Sequence, residues 1–93
     1  MSHGCRRVVS QWIIIDIREN QVGHTRLGIT VSKRYGDSHE RNRFKRIVRE
    51  AFRTTYAKLP AGLDLNIKPR SAAKNALSTD IATDLLNVLE HKR

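Results

Sequence analysis

The chain has one cysteine, Cys5, so it cannot form an internal disulfide, and no second thiol stands near to build a zinc knuckle. Its longest apolar run, "WIIIDI", is interrupted by Asp16 and falls far short of the roughly 20 residues that span a bilayer. No apolar segment of the signal-peptide kind follows Arg6 and Arg7 near the start. Internal repeats and low-complexity tracts are absent. Acidic residues are scarce, nine Asp and Glu against eighteen Lys and Arg. Those that would matter for catalysis, Asp16, Asp64 and Asp80, are scattered, and the four histidines show no ligand spacing. These absences argue against a secreted disulfide scaffold, a membrane span, a metal site and an autonomous nuclease, and they fit a cytoplasmic protein.

What remains is a basic chain of 93 residues, short enough for one domain and too short for two. A net charge of +9 and a pI of about 10.6 mark a polyanion binder, with nucleic acid ahead of an anionic membrane surface. A core this small gives marginal stability unless a ligand adds to it.

Periodicity outlines the elements. Residues 8–17, "VVSQWIIIDI", read as a strand, with Ile13, Ile15 and Ile17 on one face and Trp12, Ile14 and Asp16 on the other. "RENQVGH" reads as a hairpin connection into a second, antiparallel strand over 26–32, in which Leu27, Ile29 and Val31 alternate with Arg26, Gly28, Thr30 and Ser32. Gly36 marks a turn, and Asp37 or Ser38 can cap the helix behind it; Asp37 and Glu40 have capping-box spacing. Apolar residues at 44, 47, 48, 51, 52, 56 and 59 predict a helix from about Arg41 to Leu59, ended by "LPAG". A third strand over 63–67 and a loop containing "KPRSAAKNA" follow. A last helix is capped by Ser78 and carries the stripe Ile81, Ala82, Leu85, Leu86 and Leu89. The expected architecture is α+β, a two-layer α/β sandwich with helices over a small sheet.

The first helix carries the densest charge. "HERNRFKRIVREAFR", residues 39–53, holds five arginines and one lysine besides His39. On a helical wheel Phe44, Ile47, Val48, Ala51 and Phe52 form a core stripe, while Asn42, Lys45, Arg46, Arg49 and Arg53 share another arc. Arg41 and Arg43 flank the first turn, where the helix dipole is already positive. Cations there are unfavourable alone and favourable around a phosphate, and the fork of arginine suits that ligand better than lysine does. Only Glu40 and Glu50 offset them locally, and Lys33 and Arg34 add to the excess. A merely solvated charged face accounts poorly for this. A membrane-surface helix would need the apolar stripe that covers the sheet.

"RLGITVSKR" at 26–34, "RNRFKRIVREAFR" at 41–53 and "LPAG" at 59–62 together resemble the protein subunit of bacterial ribonuclease P, from about Gly4 through the last helix. The resemblance implies a four-stranded sheet of the ribosomal protein S5 domain 2 type with a left-handed βαβ crossover. It also implies a catalytic RNA partner and precursor tRNA as substrate, whose 5′ leader is removed. Mg²⁺ acts through the RNA, the protein holds no metal or catalytic group, and no membrane or obligate protein partner is implied. By the same resemblance Lys33, Arg34, Arg41, Asn42, Arg43, Lys45, Arg46, Arg49 and Arg53 face RNA. Trp12, Ile15 and Asn42 are candidates for a leader-binding cleft, although a Trp in such a strand is more commonly a buried residue than a stacking platform. The chain begins about where the family's additional first helix ends, so the single domain, 1–93, is expected to be N-terminally short; a native start would leave that cleft without one wall, and a mis-set start or a trimmed chain is the equal alternative. A ribosomal-type binder of structured RNA is the alternative that shares charge and topology but not the motif order.

Overall fold

The computed structural model describes residues 6–90; Cys5 and the rest of the chain's start lie outside the described residues. The apolar run that reads as one strand is two. Strand β1, Arg6–Val9, turns at Ser10 and returns antiparallel as β2, Ile13–Glu19. Ser10 makes the turn: its amide and hydroxyl both donate to the Ile13 carbonyl, and its Oγ accepts from the Ile13 amide. A polar residue that binds its own backbone offers the chain an alternative to a continuous ladder.

Strand β3, Arg26–Ile29, does not pair with β2 as the sequence predicts. Strand β4, Leu63–Pro69, lies between them, antiparallel to β2 with Ile15 opposite Ile67, and parallel to β3 with Leu27 opposite Leu65. The order is β1-β2-β4-β3. The connection from β2 to β3 is too long for a tight hairpin and crosses the end of β4. Asn20 organises it: its amide donates to the Gly62 carbonyl, its Nδ2 to the His24 carbonyl and Asp64 Oδ1, and its Oδ1 accepts from the Val22 amide. Gly62 turns the chain into β4 at a φ of +82°, a conformation open to glycine at little cost.

The crossover between the parallel strands is helix α1, Ser38–Thr55, which both starts and stops a few residues before the span that apolar periodicity predicts. The start is set by Asp37, which caps the helix and accepts from the Glu40 amide at 2.9 Å. The apolar period past Thr55 continues in a 3-10 turn, Tyr56–Lys58. The second helix, α2, covers Ser78–Glu90. Its cap bond is not from Ser78: the Leu77 amide donates to Asp80 Oδ2 at 2.9 Å.

Both helices cover one face of the sheet. Ile13, Ile15, Ile17, Leu65 and Ile67 from the strands meet Phe44, Ile47, Val48 and Ala51 of α1 and Ile81, Leu85 and Leu89 of α2 in one buried cluster. Each large side chain so buried contributes about 1.5–3 kcal/mol before entropy is counted. This is the two-layer α+β sandwich expected from the sequence. The opposite sheet face carries Arg7, Ile14, Asp16, Asp64, Asn66 and Lys68, partly or wholly exposed.

Candidate nucleic-acid interface

Burial of Phe44, Ile47, Val48 and Ala51 fixes the rotation of α1 and turns its other side outward. There Asn42, Lys45, Arg46, Arg49, Glu50 and Arg53 line an open groove of about 550 Å³. Glu50 is the sole carboxylate among these six and is held by Arg53 Nη2 at 2.7 Å. Arg46 and Arg49 make no hydrogen bond or ion pair among the described residues. Two guanidiniums without an ion-pair partner, one helical turn apart in sequence, leave this side of α1 with donors open to an anionic ligand.

The other cations of the motif are placed differently. Arg41 donates from Nη1 to the Gly36 carbonyl at 3.0 Å, bracing the turn before the helix. Arg43 reaches the opposite way and donates to the carbonyls of Lys74, at 3.4 Å, and Ala76, at 3.0 Å. Lys33 and Arg34 sit in a short 3-10 turn, Lys33–Tyr35, that leads from β3 towards α1. The run of cations that looks uniform in sequence is thus divided between an outward groove and bonds to the main chain.

A second concavity, about 500 Å³, opens at the other face of the sheet. Ile14 is part of its lining, with Thr30, Arg34, Tyr35, Lys68 and Lys74 around it. Tyr35 is held from behind by Phe44, ring centroids 5.8 Å apart, and Lys74 Nζ stands 5.4 Å from its centroid. Burial raises the Tyr35 phenol above its ordinary pKa, so it remains a neutral hydrogen-bond donor. Further along the same face the charges are paired. Arg7 bonds Asp16 at 2.7 Å, Lys68 approaches Asp16 at 3.5 Å, and Arg26 bonds Asp64 at 2.9 Å. The hydrogen bond from Arg7 holds the Asp16 carboxyl below the usual carboxylate range. Those from Arg26 and Asn20 lower Asp64 to about 2. Asp80 caps α2. The three scattered aspartates therefore serve the fold, and no three His, Cys, Asp or Glu side chains among the described residues gather to hold a metal ion.

The three candidates for a cleft do not come together. Ile15 is fully buried in the core and offers nothing to a ligand. Strand alternation sets this, because Ile15 shares the inward face with Ile13 and Ile17, and Ile14 faces the concavity instead. Trp12 is half-buried in the β1–β2 turn and packs against the core, its carbonyl accepting from the Arg70 amide. Asn42 belongs to the helix groove. Tyr35, Lys68 and Lys74, absent from the sequence-derived set, surround the second concavity. A signal for two of them is present, since "KPRSAAK" puts three cations in seven residues across the end of β4 and the segment behind it.

Fold and sites together define a small α+β domain that carries one cationic groove on its crossover helix and a second concavity on its open sheet face. Residues 2–93 match the protein family described as Ribonuclease P. A ribonuclease P protein component from Syntrophobacter fumaroxidans is 36% identical over 88 residues, covering 94% of this chain and 74% of that protein. One from Chlamydia trachomatis is 59% identical over 46 residues, covering 50% of this chain and 38% of its relative. The solved RNase P protein of Thermotoga maritima superposes with a TM-score of 0.84 at 28% identity, over 96% of this chain and 84% of its own. That of Staphylococcus aureus gives 0.74 at 27%, over 92% and 78%. The chain belongs to the ribonuclease P protein family.

Proposed function

We propose that this chain is the protein subunit of a bacterial-type ribonuclease P, acting in the cytoplasm, where it binds the catalytic RNA and assists removal of the 5′ leader from precursor tRNA. The observation that carries this reading, beside family membership, is the groove of α1: Arg46 and Arg49 stand without counter-charge, flanked by Asn42 and Lys45. A folded RNA presents phosphates at a density that such a helix can match, and each neutralised phosphate releases counterions. The open sheet face accounts for a second contact. Its concavity joins an apolar floor at Ile14 to the cations Arg34, Lys68 and Lys74, a combination that suits an unpaired strand, whose bases need a surface and whose phosphates need charge. We assign the precursor's leader to it. Hydrolysis belongs to the RNA and its Mg²⁺, and the protein's part is to screen charge and position the substrate.

The test is cleavage of precursor tRNA by a bacterial ribonuclease P RNA at low Mg²⁺, with and without this chain. Stimulation is expected, with preference for that RNA over an unrelated structured RNA in competition. Equal affinity for both and no stimulation would return the chain to the general RNA-binding class. Cleavage by the protein alone would contradict the division of labour.

A further inference from the structure

The division among the motif's arginines carries a consequence for the sheet-face concavity. The segment Ser71–Asn75 is a 3-10 turn held at its base by the buried Ala73 and Ala76. Lys74 projects from it to form one wall of the concavity, whose lining also includes Arg34. Arg43, reaching that segment from α1, donates one guanidinium nitrogen to the Lys74 carbonyl and another to the Ala76 carbonyl. Lys74 Nζ is then held above the Tyr35 ring and 3.8 Å from Glu40 Oε1. Tyr35 rests on Phe44, and both Glu40 and Phe44 belong to the same first turns of α1 as Arg43. One guanidinium thus ties the far wall of the concavity to the helix whose outer side forms the groove.

We propose that Arg43 is a positioning residue for leader binding: its fork on the Lys74 and Ala76 carbonyls sets where Lys74 stands in the sheet-face concavity. The assignment rests on the reading that this concavity receives the leader. Lysine cannot replace arginine here, because a compact ammonium does not span two carbonyls as a planar fork does. Charge and geometry can therefore be separated in one substitution.

The experiment compares precursor tRNA with and without its 5′ leader, bound to holoenzyme reconstituted with the parent chain, Arg43→Lys, Lys74→Ala and the double variant. Arg43→Lys keeps the charge and is expected to reduce the preference for the leader-bearing substrate by roughly three- to tenfold, the weight of one or two hydrogen bonds. Affinity for the RNA subunit and its salt dependence should stay at the parent's values. Lys74→Ala should reduce the preference similarly, and in that background Arg43→Lys should cost nothing more, as expected for residues acting through one contact. Full leader preference in Arg43→Lys, or additive losses in the double variant, would overturn the proposal. So would weaker RNA-subunit binding in Arg43→Lys with leader preference intact, which would make Arg43 a direct phosphate contact. Backbone amide resonances of residues 71–77, recorded on the free protein, check the clamp without RNA: they should move in Arg43→Lys while those of β2 stay, and unmoved resonances would refute it. Should they move while the parent itself shows no leader preference, the reading of the concavity would fail and not the clamp.

Discussion

Asp64 is a single carboxylate on which two donors converge, Arg26 through Nε and Nη2 and Asn20 through Nδ2. Its folded pKa of about 2 lies below the value near 3.9 expected of an unfolded aspartate. A depressed carboxylate contributes stability that is fully present above the unfolded value and is lost as pH falls through the folded one. Acid titration of stability should therefore decline less steeply between about pH 4 and 2 in Asp64→Asn than in the parent, and superimposable acid limbs would contradict this. In the groove of α1, residues that look alike in sequence are expected to behave differently. Substituting Arg46 and Arg49 together by alanine should flatten the salt dependence of RNA binding by roughly 0.7 to 0.9 for each phosphate that the helix no longer neutralises. Arg53→Ala should do less, since Glu50 already engages that side chain. Glu50→Gln, which frees it, should tighten RNA binding by about two- to threefold, within the range of an exposed ion pair. Filter binding across a salt series reads all three variants, and a Glu50→Gln variant that binds more weakly would reverse the electrostatic account.

Among the elements, α1 is the most legible in the sequence and β1 the least. An apolar stripe at helical spacing, with Asp37 and Glu40 at capping distance, predicts a helix whose cap bond is present in the structure. Its basic arc is equally readable, because rotation follows once Phe44 and Val48 point inward. The exact groove is not, since no wheel shows that Arg43 turns aside to reach the carbonyls of Lys74 and Ala76, 31 and 33 residues away. The break between β1 and β2 is hidden by composition: Val8, Val9 and Ile13 to Ile15 all favour strand, and only the side chain of Ser10 interrupts them. In the cleft, parity decides between neighbours, and Ile14 takes the outward place that the family resemblance suggests for Ile15. These local devices have measurable weight. Asp37→Ala should remove the cap of α1 and lower stability by about 1 kcal/mol in chemical denaturation with the slope unchanged, and a shift under a few tenths would show that another group takes its place.

At the scale of the molecule, one core of modest size joins two helices to four strands, so a single large deletion is felt throughout. Phe44 is 1% exposed and touches both the core and Tyr35. Phe44→Ala should cost about 3–5 kcal/mol, most or all of what a domain this small has to lose. Thermal melting should show it as a large downward shift that added RNA partly restores, because binding to the folded state draws the equilibrium back. A variant melting near the parent would mean that the core closes over the cavity. The strand order β1-β2-β4-β3 is not legible in the sequence, for alternation says which side of a strand is apolar and nothing about its neighbour. That order also governs how the chain can be made. Strand β4 sits between β2 and β3, yet it is the last strand to leave the ribosome, after the whole of α1. Until Leu63 emerges, β2 and β3 have no common partner, and the arginine-rich helix has little sheet to rest on. A nascent chain stalled before that point is a hairpin, a loose strand and a cationic segment close to ribosomal RNA. Only once β4 has emerged do β2 and β3 have the strand that joins them, and only then can the sheet close.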